Sequence, residues 1–272
     1  MAPTLAFTAF PAVGGPVGYA AVPWDTELYA LPFYELRCEG AAAEVERALP
    51  GCLEAIRARS PHQPALVFTR MHPADTRLCE VLSGQRFYAA EMTLEITLPL
   101  RRYVRPHPHM TPKGVLRAAQ ETDLPILKQI AGEAFARDRF HLDPHLPHEL
   151  SDKRYAQWVE RGFRNGDQLF AYERIGDAGE IMGFYLIRGA VGGEVELSLA
   201  GVAPKYQRSG IGALMYEEML AWCQTARYRT AITHVSINNL DVVNLFLALG
   251  FTIRNAQQTM HRFLEPLGAA HE

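Results

Sequence analysis

The segment QRSGIG, residues 207–212, places two glycines between a predicted strand and a predicted helix. Glycines at such a junction let a ligand come close to the backbone, and the unpaired N–H groups of a helix N-terminus attract anions. A P-loop is excluded because the segment has no Lys followed by Ser or Thr. A dinucleotide-binding turn is excluded because the third glycine is missing after Gly212. A tight turn that uses glycines only for its backbone geometry is the simpler alternative.

Carboxylates precede this segment on the predicted strand EVELSLAGVA, residues 194–203. Because side chains alternate along a strand, Glu194, Glu196 and Ser198 share one face. A carboxylate there can remove a proton from an attacking amine, bind a cationic acceptor without taking its proton, or simply be solvated. The residues alone leave these three interpretations of Glu196 open.

A second segment, NLDVVNLFLALGF at residues 239–251, adds to the first. The pattern Q-x-x-G-x-G preceded by V-x-P, together with N-x-x-V-x-x-L-F-x-x-x-G-F, resembles the GNAT superfamily, whose members transfer acyl groups from acyl-CoA, mostly to amines. The order of predicted elements from residue 114 onward is also that of the family. The resemblance implies an α/β (α+β) protein with the GNAT fold, a central mixed, mostly antiparallel sheet flanked by helices.

The resemblance also implies how acetyl-CoA, or another acyl-CoA, is bound. Backbone amides from Arg208 to Ala213 hold the pyrophosphate, and the backbone of Gly201 and Val202 pairs with pantetheine. Asn239 is interpreted first as a helix cap and second as a cofactor contact. The cofactor-binding residues implied in this way are Gly201, Val202, Gln207, Arg208, Ser209, Gly210, Ile211, Gly212, Ala213, Asn239 and Phe246.

The same resemblance implies catalytic roles for two residues. Glu196 has the spacing of the general base in the histone-acetylating branch, and the Ala200 N–H is the candidate donor to the oxyanion. Phe246 departs from the family, because many members carry at this position a tyrosine that acts as general acid. A thiolate, whose thiol has a pKa of about 8.5, can leave with weak assistance. The sequence leaves open which group replaces the tyrosine: water, Ser198, His234, Tyr185 or Tyr206.

Two further segments bear on the acceptor. PWDTELYALPFYEL (23–36) and ARDRFHLDPHLPHELSDKRYAQWV (136–159) resemble segments of the TDP-fucosamine acetyltransferase group, which implies a nucleotide-linked amino sugar as acceptor. Two alternatives stay open. One is a larger acyl donor, or one bound to an acyl carrier protein, used on a biosynthetic intermediate. The other is a non-catalytic acyl-CoA-binding protein.

The histidine-rich stretch HLDPHLPH, residues 141–148, raises the question of a metal site. Its prolines place no two ligands on one helical turn, whereas specific metal sites have definite ligand spacing. In the family this region borders the acceptor site. We therefore predict acceptor contacts and no metal.

Element patterns predict two domains. Residues 1–98 read as strand 28–38, helix 41–60 broken or kinked at Pro50, strand 64–70, helix 73–84 and strand 87–98. This order echoes the later half, so we predict a degenerate GNAT-like half without a CoA site. A linker rich in proline and arginine follows at 99–113. Residues 114–272 form the predicted catalytic domain. Its first helix begins at Thr122 or Asp123 and is predicted within 114–138, and its second spans 151–164. The third follows the glycine segment and ends near Thr225, and the fourth spans 239–249. The strands of this domain are predicted at 114, 168–175, 181–190, 194–203, 230–237 and 251–264.

The bulk composition narrows the class of protein. The net charge of -3 argues against a protein that coats nucleic acid, which would have a strongly basic domain. No apolar run reaches the length of a membrane span. A signal peptide has a positively charged residue before its apolar stretch, and no Lys or Arg precedes the apolar N-terminal stretch of this sequence. The four cysteines form no CxxC pair. We expect a cytoplasmic protein with a small-molecule amine acceptor and no nucleic-acid or membrane partner. A monomer and a homodimer both stay open.

Overall fold

The computed structural model describes residues 5, 7–10, 15–106, 111–177 and 179–266. Residue contacts divide the chain into two compact units. One is formed by Pro3–Thr93 together with Ala256–Glu272, and the other is centred on Leu94–Asn255. Residues 107–110 of the predicted linker lie outside the described residues, and the domain limits 1–98, 99–113 and 114–272 stay a prediction.

Among the described residues, the chain up to Pro99 forms five strands and three helices. They are β1 (Thr8–Phe10), β2 (Val17–Ala21), α1 (Pro23–Tyr29), β3 (Phe33–Cys38), α2 (Ala42–Arg59), β4 (Ala65–Met71), α3 (Thr76–Gly84) and β5 (Tyr88–Pro99).

Two expectations for this half were wrong. The strand predicted from residue 28 begins only at Phe33, because Pro23 starts a helix and Ala30, with φ of 50°, ends it in the left-handed region. Helix α2 runs unbroken through Pro50, which lies on its exposed face. Proline has no N–H to donate to the carbonyl four residues earlier in the helix, and on the exposed face water can hydrogen-bond that carbonyl instead.

The second half follows the predicted order, with the short extra helix α5. Its elements are β6 (Gly114–Ala118), α4 (Leu124–Ala134), α5 (Arg139–Leu142), α6 (His148–Arg164), β7 (Gln168–Arg174), β8 (Ile181–Ala190), β9 (Glu194–Val202), α7 (Ile211–Thr225), β10 (Thr230–Ser236), α8 (Leu240–Ala248) and β11 (Thr252–Leu264). The three consecutive strands β7, β8 and β9 form the expected antiparallel meander.

Each unit contains one parallel strand pair joined by a helix. In the unit centred on Leu94–Asn255 the strand order is β5-β10-β9-β8-β7-β6, and β9 runs parallel to β10 after the crossover through α7. In the other unit the order is β1-β2-β3-β4-β11, and β3 runs parallel to β4 after the crossover through α2. The last strand of the chain, β11, lies antiparallel to β4 from Gln258 to Leu264. The mixed sheets and flanking helices confirm the α/β class.

The meander and its helices share one apolar core. Leucine, isoleucine and phenylalanine side chains from α4, β8 and β9 fill it, among them Leu127, Ile130, Phe184, Leu186 and Leu199. This packing fixes the strand that carries the predicted catalytic residues. Within the described part of the chain, no helix combines the length and the apolar composition that crossing a bilayer requires.

Candidate functional site

Strands β9 and β10 pair only at their first residues. Their ladder joins Thr230 to Glu194 and ends with Ile232 opposite Glu196, although β9 continues to Val202 and β10 to Ser236. The last link is a 2.9 Å hydrogen bond from Thr233 Oγ1 to the Leu197 carbonyl. Beyond it the strands diverge. We call the gap between residues 198–202 of β9 and 233–236 of β10 the fork.

The opposite edge of β9 stays paired along its whole length. Ala200 faces Tyr185 of β8, and Val202 faces Gly183. The register shifts where Leu186 and Ile187 oppose residues 199 and 197, so Ser198 is an extra residue that bends the strand. Its hydroxyl oxygen is buried and has no hydrogen-bond partner among the described residues. One edge of β9 is therefore rigid, and the other offers backbone groups to a ligand.

Helix α7 begins at the end of this strand with free amides. Its first intrahelical bond runs from the Leu214 N–H to the Gly210 carbonyl at 3.3 Å. The N–H groups of Ile211, Gly212 and Ala213 precede that bond and have no acceptor within the helix. They also lie at the positive end of the helix dipole. This arrangement suits a phosphate.

Positions 210 and 212 of the segment favour glycine for different physical reasons. Gly210 caps α7 with φ of 82°, a conformation that glycine adopts without strain. At Gly212 a Cβ would meet only Val202 Cγ2, at an ordinary 3.8 Å. The helix itself therefore does not require glycine at 212, and the missing side chain leaves room for a group outside the helix. The side chain of Arg208 is exposed and forms no ion pair in the described part of the chain.

Two of the predicted cofactor residues use their side chains to hold the loop. Gln207 Nε2 donates to the Val202 carbonyl at 3.1 Å, and Ser209 Oγ donates to the Tyr206 carbonyl at 2.6 Å. These bonds tie the loop to the end of β9 and to the turn before it. Their side-chain donors are thus engaged within the protein.

Glu196 lies at the closed end of the fork. Its carboxylate is 3.8 Å from Arg188 Nη1, and its side chain is 36% exposed. Arg188 also binds Asp167 through two hydrogen bonds of 3.0 and 2.7 Å, so it divides its charge between two carboxylates. Ala200 follows four residues later, roughly 13 Å along the strand. The two predicted catalytic residues thus share the strand without touching.

Phe246 belongs to an aromatic cluster. It is 2% exposed and packs edge-on against Tyr216 and Phe251, with ring centroids 4.9 and 5.0 Å away. Tyr216 also packs edge-on against Tyr185 at 5.1 Å. Sequence analysis did not select Tyr216, although it follows Gly212 by one helical turn and so shares a face of α7 with it.

The structure separates the candidates for the missing general acid. Burial raises the pKa of Tyr185 well above its usual value, and no solvent reaches this side chain. The Tyr206 hydroxyl donates to Glu180. His234 is half exposed, with Nε2 3.6 Å from Glu95. Ser198 combines a place on the fork strand with a buried hydroxyl that meets no partner within the described residues.

Asn239 occupies the N-cap position of α8, as predicted. Its backbone carbonyl accepts from Val242 and Val243 at 3.1 and 3.0 Å, but its side chain forms no capping hydrogen bond. The expected side-chain cap is therefore absent from this helix. The amide of Asn239 stays available for the second interpretation, a ligand contact.

The histidine-rich stretch forms carboxylate pairs. His141, which is buried, places Nδ1 2.5 Å from Asp138 and Nε2 3.0 Å from Asp152. His145 Nδ1 lies 2.9 Å from the buried carboxylate of Asp143. Burial opposes a charge on His141, but the carboxylates of Asp138 and Asp152 overcome it and raise the pKa of this imidazole. Among the described residues, no three side chains of the metal-binding types gather into one site.

This pair network predicts a pH-dependent stability. Because the pKa of His141 is higher in the folded chain than its unfolded value of about 6.5, its contribution is fully present below that pH. The contribution is lost as the pH rises through the folded value. Urea unfolding followed by tryptophan fluorescence should show this decline in wild type and not in His141→Gln. The exposed His62→Gln serves as control, and an unchanged pH dependence in His141→Gln would contradict the assignment.

Comparison with known proteins agrees with this geometry. The Acetyltransferase (GNAT) family profile matches residues 132–251. The chain is 23% identical over 197 residues to dTDP-fucosamine acetyltransferase of Escherichia coli O6:H1, covering 72% of this chain and 81% of that protein. It is 20% identical over 204 residues to spore coat polysaccharide biosynthesis protein SpsD of Bacillus subtilis, covering 75% and 68%.

A solved structure supports the fold. The GCN5-related N-acetyltransferase from Sphaerobacter thermophilus superposes with a TM-score of 0.68 at 13% identity, covering 92% of this chain and 78% of that one. The family and fold expected from residues 207–212 and 239–251 are thus confirmed. The chain therefore carries, over residues 132–251, an acetyltransferase domain of the GNAT family.

Proposed function

We propose that the chain transfers an acetyl group from acetyl-CoA to the primary amine of a small molecule, by direct attack of the amine on the thioester. The observation that carries the proposal is the position of the free α7 amides at the end of the one strand that opens into the fork. The anion site suits a pyrophosphate, and the unpaired strand edge beside it suits an arm that carries amide groups.

The residues present fit such a cofactor. The amides of 211–213 would hold the pyrophosphate in the space that Gly212 leaves free, and the exposed Arg208 guanidinium would add positive charge. On the open edge of β9 the Val202 N–H would hydrogen-bond the pantetheine arm. Gly201 lies out of phase, because its carbonyl oxygen lies beside Gly183 of β8 and the Ala203 N–H two residues on donates to Met182 of the same strand. The Asn239 amide, which makes no capping bond, would be available to the arm, whereas Phe246 is only 2% exposed inside its aromatic cluster and offers no surface to it. Acetyl-CoA, when bound, supplies an acyl group activated as a thioester.

The chain's own groups then move the protons. Glu196 accepts the proton of the incoming ammonium through water, because the strand separates it from Ala200 by roughly 13 Å. The Ala200 N–H donates to the oxygen that becomes negative in the transition state. Phe246 has no proton to give, so the thiol leaves as a thiolate and receives its proton from another group.

We infer that the acceptor is a nucleotide-linked amino sugar. The relatives are named for dTDP-fucosamine acetylation and for spore coat polysaccharide biosynthesis. The structure adds a cation near the fork. Ala134 at the end of α4 lies 3.2 Å from where a Cβ on Gly201 would stand, and Arg137, three residues on, pairs with Asp241 of α8 at 3.3 Å. We propose that the exposed Arg137 guanidinium binds a phosphate of the acceptor.

We also propose that the N-terminal unit is a degenerate GNAT-like half without a cofactor. Its parallel ladder runs from Phe33–Leu66 to Leu36–Thr69 and leaves only the last two residues of β3 and of β4 beyond it, so this pair opens a shorter gap than the fork. At the start of α2 the Ala41 N–H donates to its own Glu44 carboxylate at 3.0 Å. A carboxylate at that helix N-terminus repels a phosphate. The chain then binds one acyl-CoA.

A bulky side chain at position 212 should block the cofactor. Gly212→Trp fills the space above the α7 amides, so we expect acetyl-CoA affinity to fall by more than about 100-fold, equivalent to about 2.7 kcal/mol. Gly84→Trp, at an open position on α3, is the matched control. Calorimetry should give one site per chain for wild type and for Gly84→Trp. Equal affinity in Gly212→Trp would exclude the proposed seat.

The proposed base should be separable from its neighbour on the same strand face. Glu196→Gln should lower kcat by about 100-fold or more and remove the acidic limb of the pH–rate profile. Glu194→Gln neutralises a carboxylate two residues away and should leave kcat within about twofold. Free thiol release measures both. Equal losses in the two variants would show that Glu196 is no specific base.

An acceptor screen tests the substrate class. With acetyl-CoA as donor, we expect the highest kcat/KM for an amine on a sugar that carries a nucleoside diphosphate. The same amino sugar without the nucleotide should react at least about tenfold less well, equivalent to about 1.4 kcal/mol of binding. A preference for peptide amines, or for an acyl carrier protein as donor, would overturn the assignment.

A further inference from the structure

Glu180, in the turn before β8, accepts hydrogen bonds from two cationic side chains and one hydroxyl group. Its Oε1 accepts from Lys205 Nζ at 2.5 Å and from the Tyr206 hydroxyl, and its Oε2 accepts from Arg174 at 3.0 Å. The Glu180 side chain is only 18% exposed, although Lys205 is 63% exposed. The carboxylate therefore forms the centre of the cluster.

This cluster leads directly to the loop ahead of α7. Lys205 and Tyr206 form the short 3-10 turn between β9 and that loop. The Tyr206 carbonyl accepts from Ser209 Oγ at 2.6 Å, and the Tyr206 N–H donates to the Ala203 carbonyl at 2.8 Å. Tyr206 is thus bonded by its side chain to Glu180 and by its backbone to both ends of the turn.

The loop needs an external anchor because its backbone is strained. The strain lies at Arg208, which has φ of 59° in the left-handed region; Gly210, with φ of 82°, adopts that region without cost. For a residue with a side chain this conformation costs free energy, and it persists only where the surroundings impose it. Without a fixed Tyr206, the amides of the loop would not keep one direction.

We propose that Glu180 is a positioning residue for cofactor binding: it fixes Tyr206 and Lys205 and thereby holds the loop in the conformation that presents the α7 amides to the pyrophosphate. The inference rests on the proposed function of the α7 N-terminus. Glu180 itself does not touch the cofactor. Its hydrogen bonds go to Arg174, Lys205 and Tyr206 and not to Glu196 or Ala200, so we expect its loss to act on cofactor binding and not on the chemical step.

The charge state of the anchor supports this role. Hydrogen bonds from Lys205 and Tyr206 lower the pKa of Glu180 to about 2. The carboxylate is therefore ionised across the physiological range.

The test compares two carboxylates of the same hairpin. Glu180→Gln should raise both the Kd of CoA and the KM of acetyl-CoA about tenfold while kcat stays within about twofold. Glu173→Gln is the control, because Glu173 pairs with Arg117 at 2.5 Å and has no hydrogen bond to the loop among the described residues. Tyr206→Phe, which removes one hydroxyl, should weaken CoA about threefold. When Tyr206→Phe is added to Glu180→Gln, it should weaken CoA binding little further, because both changes break the same hydrogen bond.

The outcomes separate the inference from the function beneath it. If wild type binds no CoA, the proposed function fails. If wild type binds CoA and Glu180→Gln binds it equally well, or loses kcat instead, the positioning role is wrong. Should Glu180→Gln melt early, Tyr206→Phe decides alone, and an unchanged CoA affinity in that variant overturns the inference.

Discussion

The site depends on one constraint: the hydrogen-bond ladder between β9 and β10 stops at Glu196 and Ile232. Backbone groups of a strand that leaves its neighbour need another partner, since an unpaired buried N–H or C=O is costly. The structure keeps β9 in place by other means. Pairing with β8 on the opposite edge, interrupted at the extra residue Ser198, and the Thr233 bond to Leu197 hold the strand while one edge stays open.

The open edge of β9 can serve a ligand because α7 begins close to its end. The strand ends at Val202, and α7 begins at Ile211 with its free amides directed at the same region. The N-terminal unit has the same succession of strand, helix and parallel strand, yet its ladder leaves only two residues of each strand beyond it, and Glu44 occupies its helix N-terminus. This contrast is the reason that we propose a ligand site at one parallel pair and not at the other. The difference lies in pairing and charge, not in topology.

Sequence reasoning succeeded where the signal was local. The meander, α7, β10 and α8 follow from apolar periodicity and turn residues, and the two family segments identified the fold. It failed where neighbours far along the chain decide. The Arg188–Asp167 and Tyr206–Glu180 contacts span 21 and 26 residues and leave no local pattern. Asn239 has the right position for a cap but no capping bond, which only the α8 geometry reveals. Residues 28–29 are helical because Pro23 favours a helix start over the strand propensity of Leu and Tyr.

The central claim is that acyl-CoA binds along the open edge of β9 and on the amides of α7. Hydrogen exchange of the wild-type chain, with and without saturating acetyl-CoA, tests it most directly because it reports each backbone amide. We expect new protection in peptides covering residues 198–202 and 207–215, and no change at residues 39–45, the start of α2. Protection confined to the start of α2, or absent from 207–215 while the ligand is bound, would contradict the account.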